Sequence, residues 1–284
     1  MTRLGEMRKT AIIAGSGVLP RALVRRFDEI GHDHLIVVFQ QPAPDWVADH
    51  DCYVAQFEKL GALFETLKTA GCDSVVCGGA LGRPRLDQSS FDAKTRQLAP
   101  RLWPPVGKGD DATLRIVAAI FESEGYHVLA VQDVLPEILA DAGPMGAHEP
   151  EPLDLRDIER AGMIVRAMGV ADTGQGTVVA QGLCLGLESL QGTDVMLDFV
   201  ARTAASLRPD PDGARGVLLK APKPGQDRRL DLPAIGPVTM QKAAAAGLAG
   251  VAVEPGGVLI LAREETIAQA DRLGIFLYGW TGPE

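Results

Sequence analysis

Residues 10–131 alternate between short apolar runs and amphipathic stretches, and this alternation strongly constrains the fold. The apolar runs are nearly continuous, which is typical of strands buried on both faces of a parallel sheet. Between them apolar residues recur at helical spacing, and Gly31 is expected to end the first helix. The pattern predicts a doubly wound, Rossmann-like parallel sheet. The predicted strands cover residues 10–14, 35–39, 74–77 and 128–131, and the predicted helices cover 19–30, 58–70 and 112–124.

A turn-rich, polar segment between Pro136 and Pro152 interrupts this pattern. Beyond it strands and helices follow in mixed order, and Pro255-Gly256-Gly257 is predicted to be a hairpin turn. We therefore expect a second, mixed α/β domain, with domains over residues 1–136 and 153–284 and a linker over 137–152. Its predicted strands cover residues 177–187, 216–221, 250–254, 258–261 and 275–278, and its predicted helices lie near 154–168, 194–207, 239–246 and 264–273.

The charge balance excludes one broad class of function. The 284-residue chain has a formal net charge of −9, so a general nucleic-acid-binding protein is not expected. Any phosphate binding must depend on local cations. No apolar run approaches the roughly 20 residues that cross a bilayer, and the first residues do not resemble a signal peptide, so we expect a cytoplasmic protein.

Cysteine and histidine usage disfavours several kinds of enzyme. The four cysteines form no Cys-x-x-Cys motif and are expected to be free thiols in a reducing compartment. The five histidines show no metal-ligand spacing beyond a loose His32-Asp33-His34, and we interpret them as surface residues. A nucleophile elbow of the G-x-S-x-G type does not occur, so neither a serine hydrolase nor a histidine-rich zinc enzyme is expected.

Residues 220–233 carry four cations, two carboxylates, three prolines and one glycine. Proline and glycine disfavour a continuous helix or a central strand there. Clustered Lys and Arg side chains suit a phosphate, and nearby Asp residues suit a hard divalent cation or an attacking water. A salt-bridged surface loop explains the same segment equally well, and this segment alone does not decide between the two.

Three glycine-containing loops in the first half are candidate phosphate sites. Gly15-Ser16-Gly17 lies between the first strand and the first helix, where backbone N–H groups can hold phosphates. A plain tight turn is the alternative. Pro20 breaks the dinucleotide fingerprint, which disfavours a nicotinamide-dependent reductase. The other two loops are Gly78-Gly79-Ala80-Leu81-Gly82-Arg83 and Gly107-Lys108-Gly109-Asp110-Asp111.

Two polar turns in the second half have the same two interpretations. Asp172-Thr173-Gly174-Gln175-Gly176 precedes a predicted strand and is explained by a structural turn or by ligand binding. Thr193 or Asp194 can cap the following helix. Alternatively, Glu188 and Asp194 can face a shared cleft and a metal ion.

Taken in order, these motifs are similar to a known family. The chain resembles the LpxI-type UDP-2,3-diacylglucosamine pyrophosphatases of lipid A biosynthesis over nearly its whole length, with Gly79-Ala80-Leu81 in place of a more polar loop. The resemblance implies a Rossmann-like UDP-binding domain and a second domain for the acylated glucosamine phosphate. It also implies Mg²⁺-dependent (or Mn²⁺-dependent) hydrolysis to UMP and 2,3-diacylglucosamine 1-phosphate, with water attacking the β-phosphorus.

The motifs and the resemblance together give the predicted site residues. The resemblance implies that the essential aspartate of the family corresponds to Asp231, and Asp227 is the second candidate for this role. The predicted catalytic residues are Asp231, Asp227, Lys220, Lys223 and Arg228, and the predicted metal ligands are Asp231, Glu188 and Asp194. The predicted substrate-binding residues are Gly15, Ser16, Gly17, Leu19, Gly79, Arg83, Lys108, Asp110, Asp111, Gln175, Gly176 and Thr193.

The expected partner is the acylated UDP-glucosamine substrate, with transient contact to the inner-membrane surface and no nucleic acid. A homodimer is left open. The alternative hypothesis is a non-catalytic nucleotide-sugar or lipid-binding protein, in which the aspartates are structural. Release of UMP distinguishes the enzyme from this alternative.

Overall fold

The computed structural model describes residues 3–39, 41–82, 85–102 and 110–282. The chain divides into two compact units. The first comprises Met1–Glu137 with the short piece Arg229–Asp231, and the second comprises Ile138–Arg228 with Leu232–Glu284. The predicted fold class, a Rossmann-like parallel sheet domain plus a mixed α/β domain, is confirmed.

The first unit contains a five-stranded sheet in the order β3-β2-β1-β4-β5, with every pair parallel. All five residues of the central strand β1 are buried, which explains its unbroken apolar run. The short β3 has no such run and is absent from the sequence prediction. The strands are β1 (Thr10–Ala14), β2 (His34–Val38), β3 (Cys52–Val54), β4 (Ser74–Gly78) and β5 (His127–Leu129).

The helices of the first unit follow the predicted apolar stripes. The first helix buries Leu23, Val24 and Phe27, and it ends at Gly31, whose φ of 64° favours glycine. The predicted strand over 128–131 is too long, because β5 ends at Leu129 and a helical turn follows. The helix over 93–102 is absent from the prediction. The helices are α1 (Leu19–Ile30), α2 (Leu60–Thr69), α3 (Ala93–Leu102), α4 (Asp110–Ser123) and α5 (Val131–Val134).

The second unit contains a six-stranded mixed sheet in the order β6-β13-β11-β9-β7-β8. Neighbouring residues along β7 and β9 alternate between two apolar clusters, as expected for a sheet that is covered on both faces. The strands are β6 (Gly143–Pro144), β7 (Gly176–Ala180), β8 (Leu183–Leu187), β9 (Val217–Lys220), β11 (Gly250–Val253) and β13 (Phe276–Gly279), and a separate two-stranded sheet pairs β10 (Ala234–Ile235) with β12 (Leu259–Ile260).

Four helices accompany these strands in the described part of the second unit, and all four correspond to predicted helices. They are α6 (Pro152–Val170), α7 (Gly192–Leu207), α8 (Pro237–Ala245) and α9 (Arg263–Leu273). The turn-rich segment before α6 joins the second unit through β6, which pairs antiparallel with β13, and the Met145 N–H donates to Leu277 O at 2.9 Å.

One strand prediction and one turn prediction in the second unit are wrong. The predicted strand over 177–187 is a hairpin, because Gln181 and Gly182 both have positive φ and reverse the chain. Pro255-Gly256-Gly257 is not a hairpin turn, because β11 pairs with β9 and β13 while β12 pairs with β10. Turn chemistry ends a strand but does not choose its partner.

Candidate active site

The first unit presents two glycine-containing loops at the carboxyl edge of its parallel sheet. Gly15-Ser16-Gly17 follows β1, and Gly79-Ala80 follows the adjacent strand β4. The strand order reverses between β1 and β4. This reversal is the switch point at which open α/β sheets bind their ligands.

Close contact between these loops explains two of the glycines without a ligand. The Gly15 and Ser16 N–H groups donate to Gly78 O at 2.8 Å and to Ala80 O at 2.9 Å. A Cβ on Gly15 would lie 2.5 Å from Gly79 O, and one on Gly79 would lie 2.2 Å from Ser16 O. Gly17 differs, because its φ is +91° and a Cβ there would meet nothing within 4 Å.

The other predicted substrate residues of the first unit have different placements. Leu19 is buried in the first turn of α1, where it packs as a core side chain. Asp110 and Asp111 are the first two residues of α4. Arg83 and Lys108 lie outside the described residues.

The second unit brings together Glu188, Thr193 and Lys220 from the end of β8, the start of α7 and the end of β9. The Lys220 ammonium donates to Thr193 Oγ1 at 2.7 Å, and the Thr193 hydroxyl donates to Glu188 Oε1 at 2.9 Å. Lys220 Nζ also lies 3.5 Å from Glu188 Oε1, with only 7% and 13% of the two side chains exposed. We call these three residues the Lys220 cluster.

One oxygen of the Lys220 cluster has no partner. Glu188 Oε2 is buried and accepts no hydrogen bond from any described residue. An unsatisfied buried carboxylate oxygen is costly unless a cation or a donor supplies the missing interaction. The carboxylate therefore has coordination capacity left for a metal ion or for a ligand N–H or O–H group.

The Gly174-Gln175-Gly176 turn is shaped by the same glutamate. A Cβ on Gly174 would lie 2.0 Å from Glu188 O, and one on Gly176 would lie 2.4 Å from Glu188 Oε2. Gln175 O accepts the Ala221 N–H at 3.0 Å, which joins the turn to the segment after β9. The two glycines thus make room for the glutamate.

The cation-rich segment after Lys220 is held by ion pairs. Lys223 Nζ lies 2.5 Å from Asp172 Oδ1, and its backbone N–H donates to Gln226 Oε1 at 2.9 Å. Arg228 Nη2 lies 2.8 Å from Glu254 Oε1. These two ion pairs agree with the interpretation of the segment as a salt-bridged loop.

The two candidate catalytic aspartates are assigned to different units. Asp227 belongs to the second unit, whereas Asp231 is part of the piece Arg229–Asp231 that groups with the first. In that piece Arg229 Nη1 pairs with Glu122 Oε1 at 2.6 Å. Ion pairs thus hold Arg228, next to Asp227, and Arg229, two residues before Asp231. They do not distinguish the two aspartates, and the choice between these carboxylates stays a prediction.

Comparison with known proteins identifies the family. The sequence model of the LpxI N-terminal domain matches residues 9–138, and that of the LpxI C-terminal domain matches residues 141–278. A relative from Caulobacter vibrioides (strain ATCC 19089 / CIP 103742 / CB 15), named UDP-2,3-diacylglucosamine pyrophosphatase LpxI, is 39% identical over 276 residues, which cover 96% of this chain and 98% of the relative. The chain belongs to the LpxI family.

The sequence patterns gave no indication of the residues that hold the cations. Asp172 and Glu254 pair with Lys223 and Arg228 across 51 and 26 residues, and Gln226 closes the turn around Lys223. Sequence spacing carries no signal for such distant partners. The positive φ of Asp172, 52°, marks it as a turn residue but does not reveal its ion pair.

The interpretation of the histidines as surface residues with no metal-ligand spacing did not anticipate one group that the fold assembles. Ligand atoms of Asp28, His34 and His50 lie within 4.8 Å of one another, so this group could hold a metal ion. His34 and His50 are only partly exposed. Parallel pairing of β2 with β3 brings the two histidines together, which a search for short spacings cannot detect.

All four cysteines have free thiols, as the sequence predicts. Burial raises the pKa of the Cys77 thiol to about 12 and that of Cys72 to about 11. Both thiols are therefore protonated at neutral pH, which makes them poor nucleophiles.

Proposed function

We propose that this chain hydrolyses the pyrophosphate bond of UDP-2,3-diacylglucosamine to UMP and 2,3-diacylglucosamine 1-phosphate in lipid A biosynthesis. The observation that carries the proposal is the 39% identity, over 96% of this chain, to the relative that bears this activity in its name. Matches to both LpxI domains support the same assignment. A pyrophosphatase needs phosphate-binding groups, a positioned water and charge stabilisation, and the two units offer candidates for each.

The nucleotide half of the substrate fits the first unit. At the β1–β4 switch point the chain passes from Gly17 into α1, and Val18 at its N-cap has no side-chain capping hydrogen bond. Helix N-termini favour anions through their N–H groups and dipole. Because the Gly15 and Ser16 N–H groups already donate to Gly78 O and Ala80 O, we propose that the N–H groups from Gly17 onward, at the start of α1, bind a phosphate of the UDP moiety.

The glucosamine phosphate half fits the cations of the second unit. Arg228 is 49% exposed in its pair with Glu254, and exposed ion pairs contribute only about 0–1 kcal/mol. Exchange of Glu254 for a phosphate therefore costs little. Lys223 is more deeply held, with 11% of its side chain exposed, and we assign it to positioning the loop around the phosphate.

Hydrolysis needs a water aimed at the β-phosphorus. We propose that Asp231, or Asp227 in its place, accepts a hydrogen bond from that water and orients it. The water oxygen bonds to the β-phosphorus while the bond from that phosphorus to the bridging oxygen breaks. The bridging oxygen leaves with UMP, and the water oxygen remains on the sugar phosphate.

A divalent ion, Mg²⁺ or Mn²⁺, is the proposed cofactor. The unsatisfied Glu188 Oε2 fits such an ion, because carboxylate oxygens are the ligands that hard cations prefer. Asp194, exposed in the first turn of α7, is the second carboxylate of this unit proposed to hold it, and the third ligand expected from the sequence, Asp231, stays a prediction. When bound, the ion offsets negative charge on the phosphates.

A lipid substrate also requires access to a membrane surface. None of the described helices is long and apolar enough to span a bilayer. Beside the Lys220 cluster, Leu190 is 79% exposed, and Val195 and Phe199 are each 50% exposed on one face of α7. We propose that these apolar side chains support transient, peripheral contact of a cytoplasmic enzyme with the inner membrane.

The decisive experiment follows product release from UDP-2,3-diacylglucosamine in water enriched with heavy oxygen. The proposal expects UMP and the sugar 1-phosphate in equal amounts, with the label on the sugar phosphate. Label on UMP would mean attack at the α-phosphorus. Binding of the substrate without UMP release would establish the alternative, a non-catalytic nucleotide-sugar or lipid-binding protein.

A chelation experiment tests the cofactor separately. EDTA should abolish UMP release, and Mg²⁺ or Mn²⁺ should restore it, because a divalent ion offsets negative charge on both phosphates. Full activity in chelator would overturn the metal assignment and leave Lys220, Lys223 and Arg228 as the electrophilic groups.

A further inference from the structure

The amino-terminal edge of the first unit's sheet carries an imidazole–carboxylate group that the proposed hydrolysis does not use. His34 is the first residue of β2, His50 lies two residues before β3, and Asp28 lies in the last turn of α1. The strands are parallel, so this edge is opposite the carboxyl edge that holds Gly15 and Gly79. The group is therefore remote from the nucleotide loops of its own unit.

The hydrogen bond of His34 determines which ring nitrogen is left for a ligand. His34 Nδ1 lies 3.1 Å from His32 O, and because a carbonyl only accepts, Nδ1 must donate. The neutral ring then directs the lone pair of Nε2 away from that bond. An imidazole held by an Nδ1–H donated to a backbone carbonyl is the usual arrangement of metal-ligating histidines.

The atom that faces this nitrogen is also an acceptor. Asp28 Oδ1 lies 3.8 Å from His34 Nε2, and the His50 ring lies 6.2 Å from the His34 ring between centroids. Two lone-pair-bearing atoms face each other without a hydrogen between them in the neutral state. A proton on Nε2 or a metal cation resolves this conflict, and the ligand atoms of the three side chains, within 4.8 Å of one another, leave a suitable position for a metal ion.

We propose that Asp28, His34 and His50 bind a borderline transition metal ion, with Zn²⁺ as the best match, at a site separate from the phosphates. Two imidazoles and one carboxylate suit Zn²⁺, Co²⁺ or Ni²⁺, whereas Mg²⁺ requires mainly oxygen ligands. Three protein ligands leave a further position for water. The ion links the end of α1, the start of β2 and the segment before β3, so its binding stabilises the first unit.

The test uses untagged, metal-stripped protein, because a histidine tag would bind the same ions. Calorimetric titration with Zn²⁺ should show a binding event that His34→Gln and His50→Gln each weaken at least tenfold, the loss typical even of residues that only orient a ligand. His127→Gln is the matched control, since His127 is exposed and outside the group. Millimolar Mg²⁺ should not displace Zn²⁺.

Thermal unfolding with Zn²⁺ and the visible spectrum with Co²⁺ test the same site independently. Zn²⁺ at about a hundredfold excess over its Kd should raise the Tm of the first unit by several degrees in the wild type and less in Asp28→Asn, which removes an exposed ligand charge. Co²⁺ should give a visible spectrum of nitrogen and oxygen ligation without thiolate bands, which excludes the cysteines as the site. Zn²⁺ binding that is absent in the wild type, or unchanged in all three variants, would mean that the group is a proton-mediated ion pair only.

Discussion

At the β1–β4 loops of the first unit the candidate phosphate-binding groups are backbone atoms, whereas around Lys220 in the second unit they are charged side chains. The β1–β4 loops are packed so closely that a Cβ on Gly15 would lie 2.5 Å from a carbonyl oxygen. The Lys220 cluster places an ammonium, a hydroxyl and a carboxylate in a nearly buried network. The glycine loops can pack this closely only because Gly15 and Gly79 have no side chains. The Lys220 cluster instead depends on three side chains that are held at hydrogen-bonding distance.

The difference contrasts two kinds of candidate phosphate site in an acidic chain. Backbone N–H groups attract an anion without adding net charge, and their positions are set by strand pairing. Buried charges must be compensated inside the protein, so each depends on its neighbours. Substitutions in the two units should therefore lower stability for different reasons: steric overlap in the first unit and an uncompensated charge in the second.

The largest expected effect on stability is in the Lys220 cluster. Lys220→Met should lower the free energy of unfolding of the second unit by about 3–5 kcal/mol, because it leaves the Glu188 carboxylate buried without its cation. Urea unfolding with hydrogen exchange on β9 would measure this. The double variant Lys220→Met/Glu188→Gln removes both charges and should recover most of the loss; a double variant as unstable as the single one would contradict the buried-pair account.

The matching change in the first unit concerns glycines. Gly15→Ala should lower the free energy of unfolding of the first unit by about 3 kcal/mol, because its Cβ meets backbone oxygens that cannot move independently. Gly17→Ala has open space and should cost only about 1 kcal/mol through its positive φ. Urea unfolding of the two variants gives the comparison, and equal losses would mean that loop contact is not the reason for Gly15.

The third prediction asks which aspartate acts on the β-phosphorus. Asp231→Asn should lower kcat by about a hundredfold or more, equivalent to about 2.7 kcal/mol, with little change in KM if the carboxylate orients the water. Asp227→Asn is the matched control, and UMP release measures both. Near-normal kcat with a lowered Tm for Asp231→Asn would make that residue structural, and a larger fall in Asp227→Asn would move the role to the second unit.

The smallest expected effect is a difference in acid stability. Burial opposes ionisation of Asp73 and Asp92 in the first unit, but hydrogen bonds from Arg8 to Asp73 and from Thr95 to Asp92 lower the pKa of each carboxyl overall. Their stabilisation is present above the unfolded pKa and is lost as the pH falls through the folded pKa. In the second unit burial raises the pKa of Asp154, so its protonation on acidification favours the folded state.

Through these three carboxyl groups, a fall in pH should therefore lower the free energy of unfolding of the first unit more than that of the second. Urea unfolding at pH values around and below 4, followed by hydrogen exchange in each unit, would measure the difference. Asp92→Asn should reduce the acid sensitivity of the first unit, and Asp154→Asn should flatten the response of the second. The reverse order of acid sensitivity would show that other carboxylates dominate.

Local pattern was enough for most of the fold. The stripe of Leu19, Leu23 and Phe27 and the stop at Gly31 predicted α1, and the unbroken apolar run of β1 predicted a strand buried on both faces. The prediction failed where the local pattern is weak, as in β3 and α3. It also failed between β11 and β12, because turn residues do not determine which strands pair. Strand pairing is a long-range choice, and short-range spacing does not encode it.

The candidate site divides in the same way. Residue chemistry and the family resemblance together selected Glu188, Thr193 and Lys220 as candidates, and the order of the motifs along the chain indicated the LpxI family. Only the tertiary structure decided that these three form one hydrogen-bonded cluster, that Gly174 and Gly176 make room for Glu188, and that Asp172 and Glu254 hold the cations. It also brought Asp28, His34 and His50 together. The physical reason is common to all of these: a side chain's chemistry is local, but its partner is set by strand pairing and helix packing between residues far apart in the chain.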